Sequence, residues 1–501
     1  MGPDSAGLTD CRLPARLPSV FPRFEKCAVA LRELGPGMRR DITTLVNGPR
    51  SLWIVFSIKL LESFAYFSFL STLSIYLSDE LGYSDQQAGT RMSIWLAFSS
   101  ALMLGSGFVA DRLGIRNALF LSVGSCLAGR LLVGFADSRV LAFVGLGTMA
   151  WGTAAVVPTL AAAVRRYSSD SGVSFGFGLF YAIMNLGAFI GQNMVSLVRW
   201  RVPRPVVVLL GSHELRLSAN HLICLCGALA TLAGLVLVFF VPRSRHEEEG
   251  QLVEPEVNTR AAAEKSGESS SPGNRQPPAQ KKSLFATFIE VVRESSFWRF
   301  MLLISLLVLV RVIFQHGHQT FPKYAIRELG DRFPFATYWS INPLLIIFLT
   351  PIATVLLRDR STLKVITVGA FVSALSVLFL TASTSIAASI MFIVMLSIGE
   401  AMWSPRLYEY TVQVAPRGRE SAYMGFSHAP QFLAKLLVGL MSGVLLATFC
   451  PADGARNSRL MWLIIAGTAL VGPLGILLLR NVIRPRRHDD EATKEGQVAC
   501  A

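Results

Sequence analysis

Six charged side chains interrupt stretches otherwise built of Leu, Val, Ile, Phe and Ala: Lys59, Glu62, Arg130, Arg311, Glu400 and Lys435. In hydrocarbon each bare charge costs about 3 kcal/mol or more, so it calls for a partner, water or a function. Lys59 and Glu62 are three apart and share one helix face. A carboxylate can hold a proton in one state and an internal cation in another, which is the chemistry of ion coupling; Glu62 beside Lys59 suits it, and so does Glu400. Arg130, Arg311 and Lys59 are donors for an anionic group. The competing reading is a set of structural pairs that lock helix packing. Asn185, Gln192, Asn193 and Asn342 are amides in the same apolar surroundings, where they bond to neighbouring helices or line a site. The Tyr66 hydroxyl can meet a ligand, or its ring can simply pack. His316 and His318 read as a solvated pair near a helix end, with proton sensing as the alternative. Arg406 and Glu409 read as a gate or surface pair, and Tyr408 and Tyr410 as helix-end packing.

The elements that must position these residues are twelve apolar runs of about twenty residues, the length that crosses a hydrocarbon core about 30 Å thick. They span 51–77, 89–110, 114–135, 139–164, 172–198 and 219–242, then 297–320, 338–357, 363–382, 386–404, 420–447 and 459–482. They are too long for strands and lack strict alternation, so they read as helices. With 52% hydrophobic and only 16% charged residues, the chain is too apolar for a soluble enzyme. The expected fold is an all-α membrane protein, twelve transmembrane helices in two six-helix bundles (51–242 and 297–482). An N-terminal segment (1–50), a linker (243–296) and a tail (483–501) complete it. The linker is polar and rich in Glu, Ser and Pro up to about residue 283, a composition that cannot bury a core; 284–294 can form an amphipathic surface helix.

The net charge of +14 carries no nucleic-acid signature, because Lys and Arg sit in short turns between runs. Arg112/Arg116, Arg165/Arg166, Arg358/Arg360/Lys364 and Arg417/Arg419 put the linker and both termini in the cytoplasm. Arg199, Arg201, Arg204 and Arg216 disagree, and mark a lumenal or substrate-facing surface on the other side. The membrane is the plasma membrane or an endomembrane. Seven cysteines show no metal or disulfide spacing, and no Walker A loop or nucleophile elbow occurs, so no cofactor, metal or enzymatic activity is expected.

After the second run the chain reads Gly107-Phe-Val-Ala-Asp111-Arg112-Leu-Gly114-Ile-Arg116, which resembles the loop signature G-x-x-x-D-R-x-G-x-R of the major facilitator superfamily. In that reading Asp111 makes and breaks contact with a helix N-terminus or Arg as the conformation changes. Three further segments resemble the proton-dependent oligopeptide transporter (POT) family: Phe180-Tyr181-Ala-Ile-Met-Asn185-Leu-Gly187, Ser340-Ile-Asn342-Pro343-Leu-Leu-Ile-Ile and Gly399-Glu400-Ala-Met-Trp403-Ser404-Pro405. The resemblance implies that Asn185 and Asn342 lie near the binding cavity and that Glu400 takes an amine. Where the family carries E-x-x-E-R-F-x-Y-Y, this chain has Lys59-Leu-Leu-Glu62-Ser63-Phe64-Ala-Tyr66-Phe67. Lys59 replaces the first Glu and Ser63 the carboxylate-binding Arg, which argues against ordinary di- and tripeptides.

The expected partners are protons, the lipid bilayer and a small anionic or zwitterionic, amino-acid- or peptide-like solute, handled by a single chain through alternating access. An uncoupled facilitator follows if Lys59 permanently neutralises Glu62. A receptor or scaffold that no longer transports is the third reading.

Overall fold

The computed structural model describes residues 49–168, 173–210, 213–242, 293–414 and 429–483. The N-terminal segment, the linker up to residue 292 with most of its amphipathic stretch, Arg417, Arg419 and the tail from residue 484 lie outside the described residues.

The first half is α1 (Arg50–Asp79), α2 (Asp85–Leu113), α3 (Ile115–Gly134), α4 (Arg139–Tyr167), α5 (Val173–Arg201) and, after a hairpin of β1 (Val206–Leu210) and β2 (His213–Leu217), α6 (Ala219–Val238). The second half is α7 (Ser295–Gln319), α8 (Phe321–Leu329), α9 (Phe335–Trp339), α10 (Ile341–Leu356), α11 (Thr362–Ser376), α12 (Leu378–Ala382), α13 (Ile386–Val414), α14 (Ala429–Phe449), α15 (Ser458–Leu478) and α16 (Arg480–Ile483). Among the described residues, eleven segments are long and apolar enough to cross a membrane. The twelfth is α2, whose 29 residues reach about 43 Å. Helices dominate because lipid cannot satisfy backbone N–H and C=O groups; each helix satisfies its own.

Several boundaries depart from the apolar runs. The eighth run breaks at Ser340 into α9 and α10, and the ninth at Val377 into α11 and α12. Pro405 does not stop the tenth run, since α13 continues to Val414; tight packing in a membrane tolerates a proline inside a helix. The basic loop after α5 holds an antiparallel hairpin pairing Val206 with Leu217 and Leu210 with His213. A Val-Val-Val-Leu-Leu strand accounts for it, since β-branched residues fit a pleated ribbon.

Helix direction alternates, so the molecule has a termini face and a hairpin face. Large apolar side chains such as Leu229, Phe348 and Leu478 remain exposed on the outside, as a lipid solvent requires. The halves meet chiefly through α2 against α14, with α5 against α9 and α10 and α1 against α7 and α8. The α2–α14 crossing depends on small residues: a Cβ on Gly439 would stand 1.4 Å from Ser93 Oγ and 2.5 Å from Gly89 O, and one on Gly443 2.6 Å from Gln86 Cα. Ser93 Oγ donates across it to Lys435 O at 2.7 Å. Among the described residues, α4 and α5 form no comparable packing with α13 toward the termini face. The halves are closed at the hairpin face.

Gly439→Ala should therefore loosen that closure and leave the fold intact. Overpacking of about 1–3 kcal/mol predicts at least severalfold faster labelling of a Ser93→Cys reporter by a membrane-impermeant maleimide. Gly467→Ala, where nothing lies within 4 Å of the added Cβ, should leave labelling unchanged. Equal rates in both backgrounds would show that the crossing does not control closure.

Candidate functional site

In the first half, α1 carries the ion pair on its inward side. Lys59 Nζ donates to Glu62 Oε2 at 2.9 Å, with both side chains buried, and stands 5.2 Å from the centre of the Phe180 ring of α5. Ser63 Oγ is 3.5 Å from the same carboxylate oxygen. Ser63 is wholly buried where α1 and α5 touch: a Cβ on Gly187 would lie 2.8 Å from Ser63 Cβ and 2.6 Å from Leu60 O. Position 63 is thus closely packed, and the basic group inside the span on this helix is Lys59, one turn away. Tyr66 packs edge-to-face on Phe67 at 5.2 Å, which favours the packing role for its ring.

Arg130 does not face the second half. It is 1% exposed within the first half, and Nη1 donates to Thr231 Oγ1 of α6 at 2.8 Å while Nε has no partner. It shares with Glu62, Cys126 and Thr231 the wall of a hollow of about 10 Å³, room for one water. Asn185 Nδ2 donates to Tyr181 O of its own helix at 2.9 Å. Asn193 does cross, to Ser340 Oγ at 3.0 Å. Gln192 Oε1 is buried without a partner.

In the second half, Asn342 Nδ2 donates to Glu400 Oε2 and to Ser397 Oγ, both at 3.0 Å, joining α10 to α13. Arg311 of α7 lies over the Trp403 ring at 5.2 Å and within electrostatic reach of Tyr408, Glu400 and Tyr181. Tyr181 and Tyr408 thus join the cluster: Tyr408, expected to pack at the helix end, instead meets Arg311, and Tyr181 stands one turn before Asn185. Lys435 also belongs here, within reach of Arg311, its Nζ donating to Ser100 Oγ of α2 at 2.8 Å. Its signal was available as one more lysine in an apolar run.

Other expectations need correction. His316 and His318 are not a solvated pair. His316 is fully buried, its Nδ1 2.7 Å from Thr320 Oγ1, with Nε2 unpartnered. His318 sits between Phe67 of α1 and Trp339 of α9, at ring distances of 6.2 and 5.5 Å. The cause is Gly317, where a Cβ would stand 1.9 Å from Trp339, so the indole presses α7 closely. Arg406 bonds to Glu409 at 2.5 Å and to Leu357 O, fastening α13 to the end of α10 within the second half. Tyr410 does pack at the helix end, its hydroxyl donating to Ile483 O at 2.6 Å. Of the loop signature, the side chains of Gly107, Asp111 and Arg112 lie outside the described residues; Gly114 takes φ 76° at the start of α3 and Arg116 lies over Phe120 at 5.8 Å.

A charged latch closes the hairpin face. Asp85, just before the second apolar run, accepts from Lys323 Nζ at 2.8 Å, from Arg327 Nη1 at 2.7 Å and from Arg327 Nη2 at 2.8 Å. Lys323 also reaches Ser78 Oγ, and Arg327 the carbonyl of Cys450, a buried free cysteine just past the end of α14. Burial pushes the Asp85 carboxyl up, but the Arg327 hydrogen bond and the Lys323 charge outweigh it and hold it below its ordinary value. Beside the latch lies a hollow of about 890 Å³, walled in part by Asp79, Glu80, Arg199, Arg204 and Asp331. Two of the four arginines that broke the charge pattern thus line a cleft.

Residues 55–439 match the family model of the Major Facilitator Superfamily. The chain belongs to the Major Facilitator Superfamily. Within it, one relative is dipeptide and tripeptide permease B of Salmonella typhimurium, 26% identical over 164 residues, 31% of this chain and 33% of that protein. Another is dipeptide and tripeptide permease A of Proteus mirabilis, 26% identical over 148 residues, 29% and 30% of the two chains. The chain thus spans about a third of the length of the curated relatives it matches. Solved structures share the fold over most of the chain. A POT family transporter in complex with 5-aminolevulinic acid superposes with TM-score 0.66 at 18% identity, covering 87% of this chain and 97% of that one. A peptide transporter POT in complex with sulfate gives 0.65 at 20% identity, with 87% and 95% covered. This superfamily member therefore resembles the POT family in fold and in its sequence segments.

The latch supplies a pH test. A carboxyl held below its ordinary pKa contributes stability that is complete above about 3.9 and is lost as pH falls through the lower folded value. Spin labels at Asp137 and Asp453, exposed on the hairpin face of the two halves, should report one distance from pH 8 to pH 5. The distance should lengthen below about pH 4. Asp85→Asn should lengthen it at every pH; a distance that changes between pH 8 and 5 in the parent would assign closure to another group.

Proposed function

We propose that this protein is a secondary transporter that carries a small amino-acid- or peptide-like solute by alternating access, driven by protons. One observation supports this above the others: two halves closed at one face, each presenting a buried carboxylate (Glu62 and Glu400) to hydrogen-bonding partners it can exchange. Glu62 is neutralised by Lys59 while unprotonated. A proton on Glu62 frees the ammonium for a carboxylate of the solute, and loss of the proton restores the pair and expels the solute. Glu400 with Asn342 receives the solute's amine. POT family transporters of the same fold are solved in complex with 5-aminolevulinic acid and with a thioalcohol conjugated peptide, which supports that solute class. Loop arginines place the termini face in the cytoplasm, so the closed hairpin face is external or lumenal and the chain rests inward-facing. One chain is the functional unit.

An uncoupled facilitator is the second reading, favoured by the 2.9 Å Lys59–Glu62 contact if it never opens. Proteoliposome uptake separates the two. The parent protein should accumulate solute only with an inward proton gradient. Glu62→Gln keeps the volume but cannot cycle a proton, so it should lose accumulation and retain exchange. Gradient-driven accumulation that survives in Glu62→Gln would move coupling to Glu400; equilibration without accumulation in the parent would favour the facilitator.

A further inference from the structure

The charges on the two sides of the interface do not balance in the same way. On the first half, Lys59 and Glu62 cancel at 2.9 Å. On the second, Arg311 and Lys435 stand within electrostatic reach of each other, and among the described residues Glu400 is the one carboxylate that acts on either of them. Glu400 spends its hydrogen bond on Asn342, and among the described residues no carboxylate oxygen lies within the 4.0 Å of an ion pair from Arg311 or Lys435. Lys435 donates to the neutral Ser100 hydroxyl across the interface, and Arg311 has the Trp403 face and a hydrogen bond with the Tyr408 side chain, neither of them an ionised counterion. Two cations against one distant anion leave an excess positive charge where the halves meet, one turn toward the termini face from the Gly439 crossing. A cation kept there without a counterion is costly unless a ligand supplies the anion.

We infer that Arg311 and Lys435 form a second anion subsite, and that the preferred solute carries two anionic groups and one amine, for a net negative charge. This rests on the proposed transport of an amino-acid- or peptide-like solute and narrows it. One carboxylate meets Lys59 once Glu62 is protonated, the amine meets Glu400, and the second carboxylate settles between Arg311 and Lys435, replacing the Ser100 hydroxyl. With Glu62 neutral under its proton, three cations of the protein face Glu400 alone before the solute enters, and a solute of net charge -1 lowers that excess from two positive charges to one. Lys435 and Ser100 lie on opposite halves, so the solute's second carboxylate would also release a contact between them.

The test uses isosteric pairs that differ by one charge: glutamate against glutamine, and Ala-Glu against Ala-Gln. Apparent affinity is read from thermal stabilisation of the purified full chain in nanodiscs at pH 6. The parent should bind the acidic member of at least one pair about tenfold more tightly than the neutral one. Lys435→Gln should reduce that preference to twofold or less without weakening the neutral member, and Lys435→Arg should preserve it. Ser100→Ala, which leaves the ammonium without its hydroxyl partner, should not reduce it. Equal binding of the acidic and neutral members in the parent, or a tenfold preference that persists in Lys435→Gln, overturns the inference while leaving the transport reading in place. No binding of any of the four to the parent overturns both. If Lys435→Gln does not fold, loss of the preference in Lys435→Arg decides against the subsite, because that variant keeps the charge.

Discussion

Hydrocarbon offers neither a hydrogen bond nor a counterion, and most features of this molecule answer that constraint. Backbone polar groups close upon themselves in long helices. Hydroxyls of α1 such as Ser71 and Thr72 turn back to carbonyls of their own helix. The charged side chains within the spans collect between helices, where each can meet a ring, an amide or an opposite charge. The Arg130 guanidinium shows how strict the demand is: it is fully enclosed, satisfied on one side by Thr231 and unsatisfied at Nε beside a hollow fit for one water.

Close helix approach then decides which charges can exist at all. Gly187 and Gly191 bring α5 against the backbone of α1, with Cβ positions that would lie 2.6 Å from Leu60 O and 2.5 Å from Phe64 O. That contact packs position 63 closely, and the basic group inside the span on this helix is Lys59. The departure from the POT pattern is thus not a bare loss. It pairs the remaining Glu62 with a cation on its own helix.

The same steric logic sets the resting conformation. Glycines 89, 439 and 443 allow α2 and α14 to cross at backbone distance, and Asp85 ties α8 to the first half through Lys323 and Arg327. His316, His318 and Gln319 are enclosed by this closure with polar atoms unpartnered.

Helix count, the division into halves and the set of intramembrane charges were legible in the sequence, because hydrophobic length and the cost of charge in lipid act residue by residue. Lys59 beside Glu62 was legible too, since three residues of helix always bring side chains together. The breaks at Ser340 and Val377, the hairpin at 206–217 and the passage of α13 through Pro405 were not, for they depend on what packs alongside. Nor did the sequence distinguish Arg130, which turns into its own bundle, from Arg311, which faces Tyr181 and Glu400. Both are arginines in apolar helices, and only the rotation of each helix against its neighbours tells them apart. Tyr408 and Lys435 joined the cluster for the same reason: their partners lie on other helices, as far as 335 residues away in the case of Ser100 and Lys435. Composition and period determine that a residue must be buried, whereas tertiary packing determines against what.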